Sequence, residues 1–232
     1  MLNIKNAVRI AAAAAALAAL HSTASASALI NGGFELPAFS GGVNFVNDTT
    51  NPATNGWRTT ATDHQIEYWS HGALGVASYE GNQHVELNAY QVSTLYQDVS
   101  GIAAGSTVGY QFAHRGRAGV DSMRLVITDL GADNIYGNSD DTVLFSQLFS
   151  DGNTAWGFYS DANALTALGN GMRFAYESVS AAGGPTVGNF LDAVAFGVGV
   201  AAPVPEPSSI ALSLLGLAGV GAIRRKSAKA RA

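Results

Sequence analysis

From residue 29 to residue 200 the apolar side chains return at every second position in short runs, the period of a core built from strands. In His84-Val85-Glu86-Leu87-Asn88-Ala89 one face takes Val85, Leu87 and Ala89, the other His84, Glu86 and Asn88. Val108, Tyr110 and Phe112 share a face, as do Met123, Leu125 and Ile127, and Met172, Phe174 and Tyr176. Clusters of Gly, Asn, Asp and Ser break these runs as turns do. Only Ala162 to Leu168 admits a turn of helix, and no internal repeat is present. Many short strands closed by turns predict an all-β domain, a jelly-roll-like β-sandwich over residues 29–200.

The two ends break the pattern. Residues 1–28 read as a secretory signal peptide: Lys5 and Arg9 are its positive region, Ile10 to Leu20 its apolar core, and Ala26-Ser27-Ala28 its small-residue cleavage site. Residues 201–209 form a Pro-rich linker carrying Pro205-Glu206-Pro207. Residues 210–232 are an apolar run, Ile210 to Ile223, stopped by Arg224-Arg225-Lys226. As a helix this run is about 21 Å long, against a hydrocarbon core of about 30 Å. It is a marginal span, suited to transient membrane contact through residues 210–223.

Charge narrows the partners. Cysteine is absent, so no disulfide can hold the domain. Between residues 29 and 204 stand five Arg, no Lys and sixteen Asp or Glu, a formal charge of −11. That excludes a basic footprint for nucleic acid and suits divalent cations or neutral partners.

Two resemblances follow from quoted motifs. The tail, with Pro205, Glu206 and Pro207 ahead of an apolar run and a basic stop, resembles the PEP-CTERM sorting signal of Gram-negative bacteria. That resemblance implies an exosortase-type processing enzyme as a partner, a passage through the inner membrane, and release to the cell surface or an exopolysaccharide-rich matrix. The opening Asn31-Gly32-Gly33-Phe34-Glu35, the later Gly56-Trp57 and the closing Gly188-Asn189-Phe190-Leu191-Asp192 resemble galactose-binding-like carbohydrate-binding modules. Those modules commonly hold a structural calcium between the opening Glu and the closing Asp, which here are Glu35 and Asp192. Ala193 stands where they carry a second Asp, so the remaining ligands would be backbone carbonyls. Phe190, Asp192, Val194 and Phe196 share one parity, which would turn Asp192 toward apolar side chains.

Motifs for catalysis are lacking: there is no Gly-x-Ser-x-Gly, His-Glu-x-x-His or Walker loop. Glu67 and Glu86, with His71 or His84 nearby, are the carboxylates a glycoside hydrolase would use. Gln65, Glu67, Trp69 and His71 alternate along one strand face, where an aromatic ring beside polar groups would take a sugar or would pack under a loop. Arg115 and Arg117 are concentrated near Asp121, as ligand groups or as partners of Asp121 or Glu86; His114 has the parity of a core residue. Asp129, Asp133, Asp140 and Asp141 lie in a long acidic turn that would form a solvated loop or hold calcium. The combined expectation is an exported, non-enzymatic protein that binds or organises extracellular polysaccharide. A structural matrix scaffold with no small ligand is the second reading, favoured if Trp69 is buried.

Overall fold

Alternation turns one side of every long strand inward, and two sheets close on each other. The computed structural model describes residues 28–50 and 52–200. In chain order the strands are β1 (Val43–Asn47), β2 (Arg58–Thr59), β3 (Gln65–Ser70), β4 (Gln83–Glu86), β5 (Thr94–Val99) and β6 (Thr107–Arg115). They continue with β7 (Asp121–Asp129), β8 (Thr142–Asp151), β9 (Gly157–Thr166), β10 (Met172–Ser180) and β11 (Phe190–Val198). A single helical turn, Pro52–Asn55, precedes β2. One sheet has six strands in the order β1-β3-β4-β11-β6-β9; the other has five, β2-β5-β10-β7-β8. All pairings are antiparallel. This is the all-β sandwich expected. Among the described residues no helix is long and apolar enough to cross a membrane. The segment read as a signal peptide, up to residue 27, the linker with Pro205, Glu206 and Pro207, and the apolar run 210–223 lie outside the described residues.

Val85, Leu87, Val108, Tyr110, Phe112, Met123, Leu125, Ile127, Phe174 and Tyr176 fill the space between the sheets, on the parity read from the sequence. Fully burying each large apolar side chain contributes about 1.5–3 kcal/mol, which is what holds a domain without disulfides. The opening segment closes one end. The Val194 amide donates to Gly32 O at 2.9 Å, and a β-carbon on Gly32 would sit 1.8 Å from Val194 O, so only glycine fits there. Phe34 is fully buried and stacks on Trp57 at 5.1 Å, while Trp57 Nε1 donates to Asn31 O.

Two expectations fail on strand geometry. Ala162 to Thr166 is part of β9 rather than a helical turn, because pairing with β6 overrides the local spacing. The parity of β11 does not run through: its register slips between Asp192 and Ala195, and Ala193 adopts φ 52°. That bulge sends Val194 and Phe196 into the core and leaves Asp192 on the opposite side, against backbone amides.

Candidate functional site

Strand register lays two rows of side chains across the outer face of the six-stranded sheet. In the first row Phe45 faces Glu67, Glu67 faces Glu86, Glu86 faces Phe190, and Phe190 faces Arg115. In the second, Val43 faces Trp69 and Trp69 faces His84; beyond β11, Ala113 faces Phe158. The centre is closed and the ends are open.

At the centre, two carboxyls meet in a dry place. Glu67 is 5% and Glu86 1% exposed. Trp69 Nε1 donates to Glu67 Oε1 at 2.9 Å. Arg117 Nη1 donates to both oxygens of Glu86, at 3.1 and 2.9 Å, and the Gly188 amide donates to the same carboxylate. Burial pushes Glu67 up to about 7, against the Trp69 hydrogen bond and the Arg117 charge. Burial, with the Glu67 charge added, pushes Glu86 up to about 8, against Gly188 and Arg117. Opposed acids of this kind titrate as a coupled pair, and Arg117 contacts both oxygens of Glu86. His84 is fully buried, with Nδ1 3.0 Å from Ser78 Oγ, and burial lowers it to about 3, so it is neutral.

Arg117 and Trp156 roof this centre. The Arg117 guanidinium lies 4.7 Å over the Trp69 ring, and Phe190 meets Trp69 edge-on at 4.9 Å. Trp156 stands edge-on to His84 at 5.3 Å and donates Nε1 to Ala77 O. Aromatic rings then continue outward on both sides. Tyr79, 41% exposed, stacks on Phe158 at 5.4 Å beside Trp156. On the far edge Phe45 and Tyr90, 41% and 56% exposed, stack at 4.5 Å and 14°. Five strand spacings separate β1 from β9, about 24 Å.

Trp69 therefore needs correcting. It is 1% exposed, and its surroundings leave no face for a sugar, because Arg117 and Phe190 occupy them. Gln65 is half-buried and donates to Asp63 O, while His71 is exposed at the strand's end. Of that strand set, only Glu67 and Trp69 join the central cluster. Arg117 pairs with Glu86, one of its two expected partners, and its own amide donates to Asp121 Oδ2. Arg115 donates to Asn153 O. His114 is a satisfied core histidine, bridging Asp151 at 2.7 Å and Asn189 at 3.0 Å. Sequence reading missed Phe45, Tyr79, Tyr90, Trp156 and Phe158. Trp156-Gly157-Phe158 carried the signal, with two aromatics two apart at the start of a strand.

The acids expected to hold calcium are distributed over two places. Asp192 accepts the amides of Tyr79 and Glu80, and Glu35 those of Asn82 and Gln83, so both clasp one turn. Burial, with Glu80's charge adding to it, pushes Asp192 up to about 8 against those amides, and burial with Glu35's charge raises Glu80. In the β7–β8 turn, Asp129 accepts the Gly131 amide, Asp133 that of Ile135, Asp140 that of Ala132 and Asp141 that of Gly137. Among the described residues no three His, Asp or Glu side chains gather as a metal site.

Residues 203–226 match the PEP-CTERM protein-sorting motif, a signal of exported, surface-targeted proteins in Gram-negative bacteria. No curated protein matches the chain. Among solved structures, the chain is similar to a family 61 carbohydrate-binding module in complex with β-1,4-galactotriose, at 19% identity and TM-score 0.43, over 74% of this chain and 98% of that one. A family 22 module of Clostridium thermocellum Xyn10B matches at 11% identity and TM-score 0.46, over 64% and 89%. The xylan-binding CBM22-2 domain of Paenibacillus barcinonensis Xyn10C matches at 14% identity and TM-score 0.44, over 67% and 98%. At these identities the ligands of those proteins do not transfer to this chain.

Proposed function

We propose that the protein is exported to the cell surface or matrix and binds extracellular polysaccharide, without hydrolysing it, along the outer face of its six-stranded sheet. The observation that carries this is two aromatic clusters at opposite edges of that face, the exposed pair Phe45–Tyr90 and exposed Tyr79 with half-buried Trp156 and Phe158. The outward faces of these rings would take the C–H faces of sugars. Hydrolysis is disfavoured because Glu67 and Glu86 are buried and Arg117 holds Glu86. Titration with neutral hexose and pentose oligosaccharides of increasing length is the test. Affinity should rise with length until both platforms are spanned, and Trp156→Ala and Phe45→Ala should each weaken it about three- to tenfold. If the wild type binds none of them, the buried Trp69 makes a structural matrix scaffold the reading.

On the same reading, an exosortase-type enzyme removes the tail near Pro205-Glu206-Pro207 after residues 210–223 have touched the inner membrane. Exported protein should then yield no peptide from Ile210 to Ile223 by mass spectrometry; recovery of that peptide on exported material overturns this step. Calcium between Glu35 and Asp192 belongs to the proposal too. The acids fit a hard cation in one respect: burial and a neighbouring carboxylate raise Asp192 and Glu80, and neither forms an ion pair among the described residues. Backbone carbonyls would complete the six to eight oxygens that calcium takes.

A further inference from the structure

A strand at the rim of a sheet leaves every second amide and carbonyl without a strand partner, and natural folds blunt such rims with short strands, charge or proline. Three of the four rims here are blunted: β2 has two residues, β1 has five, and β9 carries exposed Asp161 at its middle. The fourth is different. β8 is ten residues long, ends the five-stranded sheet, and pairs only with β7 among the described residues. Its register against β7 slips once, at Leu144, and is regular from Phe145 to Asp151. From Thr142 to Ser150 it holds no charged residue and no Pro, in a domain whose formal charge over residues 29–204 is −11. Val143 and Leu148 are 60% and 51% exposed, and Ser146 and Gln147 are exposed too.

We propose that this rim is the interface with a second copy of the chain, β8 pairing antiparallel with β8 about a two-fold axis at Gln147. Residues opposed in an antiparallel pair share a face of the sheet, so a two-fold between identical strands falls on a residue and never between two. The stretch Leu144-Phe145-Ser146-Gln147-Leu148-Phe149-Ser150 repeats Leu-Phe-Ser on either side of Gln147. With the axis there, Phe145 of one copy faces Phe149 of the other, Leu148 faces Ser146, and the two Gln147 face each other. A carboxamide carries both a donor and an acceptor, so two of them satisfy one another without any charge. Charge also selects the occupant. Two domains of −11 repel wherever their acids approach, and a neutral strand is where that repulsion is weakest. A basic partner would meet no acid on this strand before Asp151, whose carboxylate is already engaged by His114 and Tyr159. Arg124, opposite Leu148 on β7, is paired with Glu177, so an acidic partner finds no free base there. The axis stands perpendicular to the sheet, so two five-stranded sheets become one of ten strands and both six-stranded faces look the same way. On the polysaccharide reading, such a dimer presents its aromatic clusters twice to one matrix, with avidity set by fixed geometry.

Sedimentation velocity of the exported protein over a micromolar concentration series tests this. The wild type should pass from monomer to dimer and stop there. Gln147→Lys and Gln147→Glu each place like charges on the axis and should each weaken association about tenfold or more. An equimolar mixture of the two variants should dimerise again, because opposite charges then meet. Asp161→Asn, on the other long rim, should behave as the wild type does. A wild type that stays monomeric overturns the proposal, as does association that survives Gln147→Lys, grows beyond two copies, or changes with Asp161→Asn. Failure of the mixture to recover overturns the axis at Gln147. Gln147 is exposed, so both variants should keep the fold, which circular dichroism checks. No glycan enters these measurements, so their failure and that of the polysaccharide reading are separate results.

Discussion

On the outer face of the six-stranded sheet, Glu67 and Glu86 oppose each other under Arg117 and are buried. On the outer face of the five-stranded sheet, Asp98 and Glu177 meet Arg173 and Arg124, and of the four only the Arg173 side chain is mostly covered. Arg173 donates to both Asp98 oxygens at 2.7 and 2.8 Å, between the rings of Tyr96 and Tyr136 at 3.8 and 4.0 Å. Each acid there has its own base. The six-stranded face has two acids for one base, and both acids are buried. Surface pairs of the first kind are worth about 0–1 kcal/mol, whereas a buried charge that loses its partner costs several. Electrostatic energy is therefore concentrated beneath the face with the aromatic platforms, and the opposite face is nearly indifferent to it.

The sharpest way to break this contrast is to remove Arg117. Arg117→Ala should destabilise by about 3 kcal/mol in urea unfolding, since it strands Glu86 in a dry site. A loss below 1 kcal/mol would mean that the two faces are equivalent. Changing pH probes the same acids without mutation. Glu67, Glu86 and Asp192 have folded values raised above their unfolded ones, so their contribution is fully present below about pH 4 and is lost as pH rises to about 8. His84 acts oppositely: its folded value is depressed, and its contribution is lost as pH falls from 6.5 toward 3. Three acids outweigh one histidine, so melting temperature should peak near pH 4 and decline toward pH 8, with a flatter decline in Glu67→Gln. An unchanged slope in that variant would remove Glu67 from the account.

Calcium would sharpen the comparison by adding charge compensation at Asp192. Chelator should lower the wild-type melting temperature and leave Asp192→Asn almost unaffected; equal sensitivity would place the metal elsewhere. An Asp133→Ala, Asp140→Ala double variant with unchanged calcium stoichiometry would dismiss the β7–β8 turn as that place. The smallest effect belongs to the five-stranded face: Arg124→Ala should cost less than about 1 kcal/mol by the same unfolding measurement.

The sandwich was legible because alternation survives burial. Val85, Phe112, Leu125 and Phe174 lie on the faces that their parity assigns. What parity could not carry was Ala193: one residue at positive φ shifts the register and reverses the side of Asp192. The candidate site was half legible. Glu67 and Trp69 were found as a strand pair, but a single strand does not reveal that Arg117, from the connection after β6, would cover Trp69. Phe45 and Tyr90 are 45 positions apart in the chain and meet only through tertiary folding.

The position of β11 has a mechanical consequence. It is hydrogen-bonded on one side to β4 and on the other to β6, and the chain continues from it toward the sorting tail. A pull entering through the tail would load an interior strand along its axis and would have to shear two ladders together, whereas a tail leaving an edge strand could be peeled away one bond at a time. A domain attached in this way would spread a load on its C-terminal end across the width of its sheet.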